Sequence, residues 1–297
     1  KLELDSWAHR ANKWDTVNEP VNIAIVGKYT GLGDSYLSVT KALMHSAISA
    51  DRKLNIIWIE AGMLEDATLA EDPSSHSDAW AKLHSVDGIL VPGGFGERGT
   101  EGKILTAKYA RENKVPFLGI CLGMQAAVIE YARNVLGNKS AHSTEMVPEC
   151  ADPAVIFMPE GSTTHMGGTM RLGARRTFFQ TQDCKAAKLY NSPPFVDERH
   201  RHRYEVNPDM VDKLEAAGCV FVGKDETNRR MEILELESQP FFLATQYHPE
   251  YKSRPGRPSP PFMGLILAAS GQLDRYITTE AIEMRINAPG GFIQSPL

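Results

Sequence analysis

Short apolar runs alternate with amphipathic stretches through the first half of the chain. Four runs have the length of buried strands, at 21–26, 54–59, 88–91 and 116–120. Between them, apolar residues recur three and four positions apart, which is the spacing of one helix face. Strands that alternate with helices in this way predict a parallel sheet with helices on both faces. The polar segment 61–77, by contrast, predicts a loop.

The second half of the chain has a less regular pattern. It predicts a helix at 208–217 and a short strand at 220–222. Two further apolar runs, 231–236 and 241–246, flank a turn signal that contains Pro240, so we expect them to pair antiparallel. The predicted fold class is therefore α/β, with a doubly wound, mostly parallel central sheet, flanking helices and a small antiparallel extension.

The two ends of the chain differ from this pattern. Residues 1–20 carry Trp7 and Trp14 at helical spacing and predict one amphipathic helix. This helix either lies on the domain that follows or connects it to another domain, and the pattern leaves both open. Residues 278–297 include a Pro-Gly-Gly segment and predict a trailing tail. We therefore expect one domain over 21–277.

Composition and charge narrow the class of protein. The chain has 297 residues and a formal net charge of −5, which gives no support for binding to nucleic acids or membrane surfaces. The apolar run at 262–269 is too short to cross a bilayer. The four cysteines form no C-x-x-C pair, so we expect neither a metal site nor a disulfide framework. A reducing, intracellular setting is the corresponding expectation.

One cysteine has the setting of a nucleophile. Cys121 follows an apolar run, precedes a helical pattern, and has Gly119 and Gly123 two residues away on either side. This G-x-nucleophile-x-G spacing is typical of a strand, tight turn and helix that expose a reactive side chain. The helix N-terminus behind the cysteine would favour its thiolate. The alternative is a buried core cysteine at the end of a strand.

The sequence also offers a base for this nucleophile and a group to orient the base. The apolar run 241–246 leads into Tyr247, His248, Pro249 and Glu250. Residues i and i+2 of an extended chain point to the same side, so Glu250 can hydrogen-bond to His248 and fix its tautomer. The intervening proline ends the strand and stiffens the pair. A solvated His and Glu at a strand end is the alternative.

A third motif supplies hydrogen-bond donors. The segment 92–96, Pro-Gly-Gly-Phe-Gly, follows a predicted strand and presents backbone amides. Together with the amide of Leu122 at the predicted helix start, it can form the oxyanion hole that acyl transfer requires. A glycine-rich loop can also cradle a phosphate. However, the segment lacks the G-x-x-x-x-G-K-[ST] pattern, which argues against a P-loop.

In this order, the three motifs resemble the class I glutamine amidotransferases, which hydrolyse glutamine with a Cys-His-Glu triad. Three further segments, 166–173, 198–207 and 253–261, resemble the CTP synthase family. The resemblance covers about 21–276. It implies the class I glutamine amidotransferase fold. It also implies that residues 1–20 are the end of a linker from a synthase domain that binds UTP and ATP.

The resemblance implies roles for individual residues. Cys121 would attack the glutamine carboxamide and form a γ-glutamyl thioester. His248, oriented by Glu250, would protonate the departing ammonia and then activate water. Gly94 and Leu122 would donate hydrogen bonds to the oxyanion. The implied glutamine contacts are Gly94, Leu122, Gly123, Met124, Gln125, Glu145, Arg203 and Tyr204.

Two of these contacts match the charges of free glutamine, which carries an α-ammonium and an α-carboxylate. Glu145 can bind the ammonium, and the planar guanidinium of Arg203 can pair with the carboxylate. The alternative for Arg203 is membership of a solvated basic run at 199–203. The resemblance also implies a lid beside the pocket, in which Phe95 could stack on the base of GTP and Arg98 could pair with a phosphate.

The resemblance further implies the partners of a full enzyme. That enzyme would be a ligase that uses ATP, Mg²⁺ and, as an activator, GTP, while the present part needs no cofactor. It would pass ammonia to UTP in the synthase domain of the same polypeptide to make CTP. A homotetramer and a cytoplasmic location are expected. The alternatives are another class I glutaminase such as GMP synthase or carbamoyl-phosphate synthase, a free-standing γ-glutamyl hydrolase, and a catalytically silent regulatory domain.

Overall fold

A computed structural model describes residues 4–31, 33–158 and 170–287 of the chain. In chain order, the strands are β1 (Pro20–Gly27), β2 (Lys53–Glu60), β3 (Gly88–Val91), β4 (Phe117–Ile120), β5 (Ala141–Ser143), β6 (Asp152–Phe157), β7 (Arg171–Phe179), β8 (Phe195–His202), β9 (Tyr204–Val206), β10 (Cys219–Lys224), β11 (Met231–Leu236) and β12 (Phe242–Thr245). The α-helices are α1 (Asp5–Thr16), α2 (Leu37–Ser49), α3 (Asp66–Glu71), α4 (Pro73–His84), α5 (Thr100–Asn113), α6 (Leu122–Asn134), α7 (Lys185–Leu189), α8 (Pro208–Ala216), α9 (Pro260–Ala269), α10 (Leu273–Tyr276) and α11 (Thr279–Asn287).

The central sheet has the strand order β2-β1-β3-β4-β12-β11-β10-β7-β8. Strands β2, β1, β3, β4 and β12 run parallel to one another. From β12 outward the pairing is antiparallel, through β11, β10, β7 and β8. The predicted α/β class is therefore confirmed, including the antiparallel pairing of the runs on either side of Pro240. A second, three-stranded sheet has the order β5-β6-β9.

Helices cover both faces of the parallel strands. Every residue of β3, β4 and β12 is buried, as expected for parallel strands between two helical layers. On one face, α2 and α9 contribute residues such as Leu43 and Leu265 to a continuous apolar cluster. On the other face, α5 and α6 contribute residues such as Ile104 and Val128 to a second cluster. The chain is doubly wound, so loops at the carboxyl ends of β3, β4 and β12 meet at one edge.

The predicted loop at 61–77 is wrong. This segment contains a 3₁₀ turn (Ala61–Leu64), all of α3 and the start of α4. The Asp72 side chain accepts a hydrogen bond from the Ser75 amide at 3.1 Å and caps α4. The polar residues that suggested a loop are the caps and solvent-facing positions of these short helices.

Both ends of the described chain contain a helix, which was expected for the N-terminal end only. The predicted N-terminal helix is present as α1, and Lys13 on it forms an ion pair with Asp51 at 2.8 Å. The predicted tail begins with helix α11, in which Ile282 is buried and Arg285 donates a hydrogen bond to Asn191 at 2.9 Å. The rest of that tail, 288–297, lies outside the described residues.

Among the described helices, none combines the length and apolar character needed to cross a bilayer. The part of the chain that the structure describes also contains no group of three or more His, Cys, Asp or Glu side chains placed to share a metal ion.

Helix α5 packs so closely on the Ala61–Leu64 turn that it tolerates no side chain at Gly102. A Cβ atom there would lie 1.8 Å from the carbonyl oxygen of Ala61. We expect Gly102→Ala to lower the free energy of unfolding by roughly 2–3 kcal/mol through overpacking, although alanine favours helices elsewhere. Chemical denaturation measures this change.

The matched control is Gly62→Ala, since no heavy atom of the described residues lies within 4 Å of a Cβ at that position. Its free energy of unfolding should stay within about 1 kcal/mol of the parent. Equal losses in the two variants would contradict the close packing of α5.

Candidate active site

Cys121 occupies a strained turn between β4 and α6. Its backbone has φ 52° and ψ −102°, a conformation that residues other than glycine rarely adopt. Such strain costs on the order of 1–3 kcal/mol and persists only where the surroundings enforce it. Here the Cys121 amide donates to the Thr245 carbonyl at the end of β12, at 2.7 Å. The sharp turn that the glycine spacing predicted is therefore present.

The two flanking glycines are required by close packing. A Cβ at Gly119 would lie 2.8 Å from the carbonyl group of Gly123. A Cβ at Gly123 would lie 2.1 Å from the carbonyl oxygen of Val91 in β3. The first turn of α6 thus lies directly against β3 and β4, and this contact sets the direction in which Cys121 projects.

The start of α6 lies immediately after Cys121. The amides of Met124 and Gln125 both donate to the Cys121 carbonyl at 3.1 Å. Leu122 is the first helical residue, so its amide has no partner within the helix. The partial positive charge of a helix N-terminus stabilises a negative charge on a nearby thiolate or oxyanion.

His248 and Glu250 lie together beside this turn. The His248 Nδ1 and Glu250 Oε1 atoms are 2.8 Å apart, and both side chains are largely buried. The His248 amide donates to the Arg199 carbonyl at 2.8 Å, which ties the end of β12 to β8. A Cβ at Gly93 would lie 2.8 Å from His248 Cε1, so only glycine fits at that position.

The environment of His248 favours its protonated form. Burial is the largest single influence and acts to lower its pKa. Hydrogen bonds and charge interactions with Cys121 and Glu250 together outweigh burial and raise the pKa of His248 to about 11. The proton is therefore held on the imidazole, next to the sulfur of Cys121.

A cavity of about 310 Å³ opens in front of Cys121 and His248. The predicted residues Gly94 and Phe95 line it, as do Tyr29 from the loop after β1 and Arg201 from β8. The Phe95 ring is 46% exposed, and the Arg201 guanidinium lies 5.8 Å from its centre. The cavity is therefore bordered by an aromatic ring and a cation.

Several predicted contact residues lie beyond this cavity, on the side of the small sheet. The Glu145 Oε1 atom accepts a hydrogen bond from the Gly96 amide at 3.0 Å. Gln125 donates to the Tyr204 carbonyl at 2.9 Å. The Arg203 side chain is half-buried, and its Nε has no hydrogen-bond partner among the described residues. Arg203 is thus not the fully solvated residue of a surface basic run.

Three other predicted residues have side chains or positions that limit their contact with a ligand in the cavity. Met124 is fully buried in the apolar core, so only its backbone can face a ligand. Gly123 packs on β3. Arg98 lies at the outer side of the loop, where it donates to the Lys28 carbonyl at 2.7 Å and pairs with Glu60 at 3.3 Å. Residues 166–169 of the 166–173 motif lie outside the described residues.

Two lysines near the site were missed by the sequence reasoning. Lys28 donates to the carbonyl oxygens of Phe95, at 2.8 Å, and Gly96. Lys103 is fully buried and donates to the Pro92 carbonyl at 3.1 Å. The signal for Lys103 was its place on the apolar face of α5, four residues before a buried alanine. Lys28 gave no comparable signal.

Comparisons with known proteins agree with this geometry. Residues 32–268 match the family model "Glutamine amidotransferase class-I". The chain is 53% identical to CTP synthase 2 of Xenopus laevis and 54% identical to the CTP synthase of Candida glabrata. The alignments cover 93% and 92% of the chain but 48% of each relative. The chain therefore spans about half the length of these curated relatives.

One solved structure is similar over nearly its whole length. It is described as "Trypanosoma brucei CTPS - glutaminase domain with bound acivicin". The TM-score is 0.78 at 38% sequence identity, and the match covers 85% of this chain and 94% of that chain.

The proton on His248 predicts that Cys121 is alkylated in preference to the buried cysteines. Because the pKa of His248 is raised to about 11, its imidazolium keeps a positive charge beside the sulfur at neutral pH, so we expect iodoacetamide to modify Cys121 faster than Cys184 or Cys219. Peptide mapping by mass spectrometry measures the rate at each cysteine.

Two other cysteines serve as internal controls. Burial raises the pKa of Cys184 to about 12 and raises that of Cys219 further. Both should stay unmodified under conditions that modify Cys121. His248→Ala removes this positive charge and should slow the modification of Cys121. Modification of Cys184 or Cys219 before Cys121 would contradict this account of the site.

Proposed function

Because the chain belongs to the class I glutamine amidotransferases, and within them to the glutaminase domains of CTP synthases, we propose that it hydrolyses glutamine with Cys121, His248 and Glu250. The observation that carries this assignment is the hydrogen-bonded pair of His248 and Glu250 beside the strained turn at Cys121. Nucleophile, base and orienting carboxylate are the three parts that acyl transfer at a cysteine requires.

The first half of the proposed reaction forms a thioester. The Cys121 thiolate attacks the carboxamide carbon of glutamine, and the carbonyl oxygen takes up the negative charge. The amides of Gly94 and Leu122 donate to this oxyanion. Each donor lowers the activation barrier by roughly 3–4 kcal/mol. As the carbon–nitrogen bond breaks, His248 gives its proton to the leaving nitrogen. The products of this half are ammonia and a γ-glutamyl thioester.

The second half restores the enzyme. His248, now neutral, takes a proton from a water molecule that attacks the thioester carbon. The carbon–sulfur bond breaks, glutamate leaves, and the Cys121 thiolate reforms beside a protonated His248. Glu250 accepts a hydrogen bond from His248 throughout and stabilises the imidazolium. The raised pKa of His248 supports a protonated imidazole in the resting state.

We propose that Glu145 and Arg203 select glutamine by its charged ends. Arg203 has a buried Nε without a hydrogen-bond partner among the described residues, which leaves a donor for a carboxylate. Burial raises the pKa of Tyr204, Glu145 raises it further and Arg203 lowers it, so both charges lie near this side chain. Backbone groups of Gly123, Met124 and Gln125 would complete the contacts.

The activity of the whole protein is a further proposal, because the chain spans about half of its curated relatives. Ammonia made at Cys121 would pass to a synthase domain that precedes α1 in the same polypeptide. There, ATP and Mg²⁺ would support the amination of UTP to CTP, in a cytoplasmic homotetramer. GTP would activate the glutaminase beside Phe95 and Arg98, since the ring of Phe95 is available for stacking.

The direct test is release of glutamate from glutamine by the chain. We expect a rate that Cys121→Ala abolishes and that GTP increases. Acivicin, which is bound in the Trypanosoma brucei relative, should modify Cys121 and no other cysteine. A rate that survives Cys121→Ala would exclude the proposed nucleophile. An adduct on Cys150 would exclude it independently.

Arg203 offers a test of substrate recognition. Replacement by Gln removes the charge that pairs with the α-carboxylate, and we expect KM for glutamine to rise about tenfold or more. The value of kcat should fall less, because Arg203 does not contact the reacting atoms. Steady-state kinetics separates the two constants.

The control for Arg203→Gln is Arg199→Gln, because Arg199 is exposed on strand β8. Its KM should stay within about twofold of the parent. Equal KM values in Arg203→Gln and in the parent would remove Arg203 from the glutamine pocket.

A further inference from the structure

Lys103 is an unusual residue for its position in the fold. It is fully buried near the start of α5, behind the glycine-rich loop 92–96. Its ammonium donates to the Pro92 carbonyl at 3.1 Å. The same nitrogen lies 3.5 Å from the position that a Cβ would take at Gly94. The charge of Lys103 is thus held directly behind a proposed oxyanion donor.

The loop is held by its carbonyl groups from two sides. Lys103 binds the Pro92 carbonyl, and Lys28 binds those of Phe95 and Gly96. In a trans peptide, the carbonyl and the following N–H point in opposite directions. The peptide between Phe95 and Gly96 illustrates this, because its carbonyl accepts from Lys28 while its N–H donates to Glu145. Holding the Pro92 carbonyl therefore fixes the direction of the Gly93 N–H in the same peptide, immediately before the proposed donor Gly94.

Burial of the Lys103 ammonium behind the loop 92–96 is energetically unfavourable. Burial is the main reason that the pKa of Lys103 is lowered to about 7. The charged groups that face it are Lys28, from the loop after β1, which lowers the pKa further, and Cys121, from the turn before α6, which raises it. An apolar side chain of the same length would fill the position without this cost.

We propose that Lys103 is a positioning residue for acyl transfer at Cys121. By fixing the Pro92 carbonyl it keeps the peptide that leads into Gly94 in one orientation, and its protonated form adds a positive charge behind that donor. This inference rests on the proposed reaction at Cys121, although not on glutamine being the substrate. The role differs from that of a catalytic residue, because Lys103 acts through the loop.

The test compares two reactions of the same sulfur in the full chain. Acylation by p-nitrophenyl acetate passes through an oxyanion, whereas alkylation by iodoacetamide does not. We expect Lys103→Met, which keeps the length of the side chain, to slow acylation about tenfold or more. Alkylation should stay within about twofold. Lys103→Gln, which keeps a hydrogen-bond donor, should recover part of the acylation rate.

The control is Lys108→Met on the same helix, which should leave both rates unchanged. Thermal unfolding of each variant reports whether the fold is kept. Acylation by Lys103→Met within about twofold of the parent would overturn the proposal, as would an equal fall in acylation and alkylation. Ester turnover that depends on Cys121 without any glutamine hydrolysis would instead reject the proposed substrate and leave this test valid.

Discussion

The backbone strain at Cys121 is the constraint on which the rest of the site depends. A residue with a side chain holds a positive φ there because the elbow is held by a short hydrogen bond to β12 and by close packing on β3. The same packing requires glycine at 119 and 123, and the position of His248 requires glycine at 93. At each of these three glycines, an added methyl group would lie about 2–3 Å from a neighbouring atom.

The parts of the fold that could be predicted from sequence are those with a strong local pattern. The buried parallel strands are continuous apolar runs, and the elbow and the His-Pro-Glu strand end have fixed spacings. All three features could therefore be predicted from the sequence alone. The error at 61–77 has the opposite cause. Its helices α3 and α4 are short and carry many polar residues, so their periodicity is weak, and the cap at Asp72 resembles a turn.

The electrostatic surroundings of the site could not be predicted in the same way. Lys28 and Lys103 reach the loop 92–96 from two segments about 75 residues apart, and only the folded sheet brings them together. The pKa of His248 likewise depends on tertiary structure, because burial lowers it while the two partners, Cys121 and Glu250, together raise it by more. Sequence spacing identifies which groups can react, but charge and burial around them are properties of the tertiary structure.

The hydrogen bond from the Cys121 amide to β12 has a consequence for the motions available to the site. It lies between two of the most buried strands of the sheet, so exchange of that amide with solvent requires separation of β4 from β12. Such an opening exposes much of both apolar clusters and costs a large share of the global free energy of unfolding. The nucleophile therefore does not fluctuate independently of the fold. Local motion is left to the partly exposed segment around Phe95, which borders the cavity in front of Cys121.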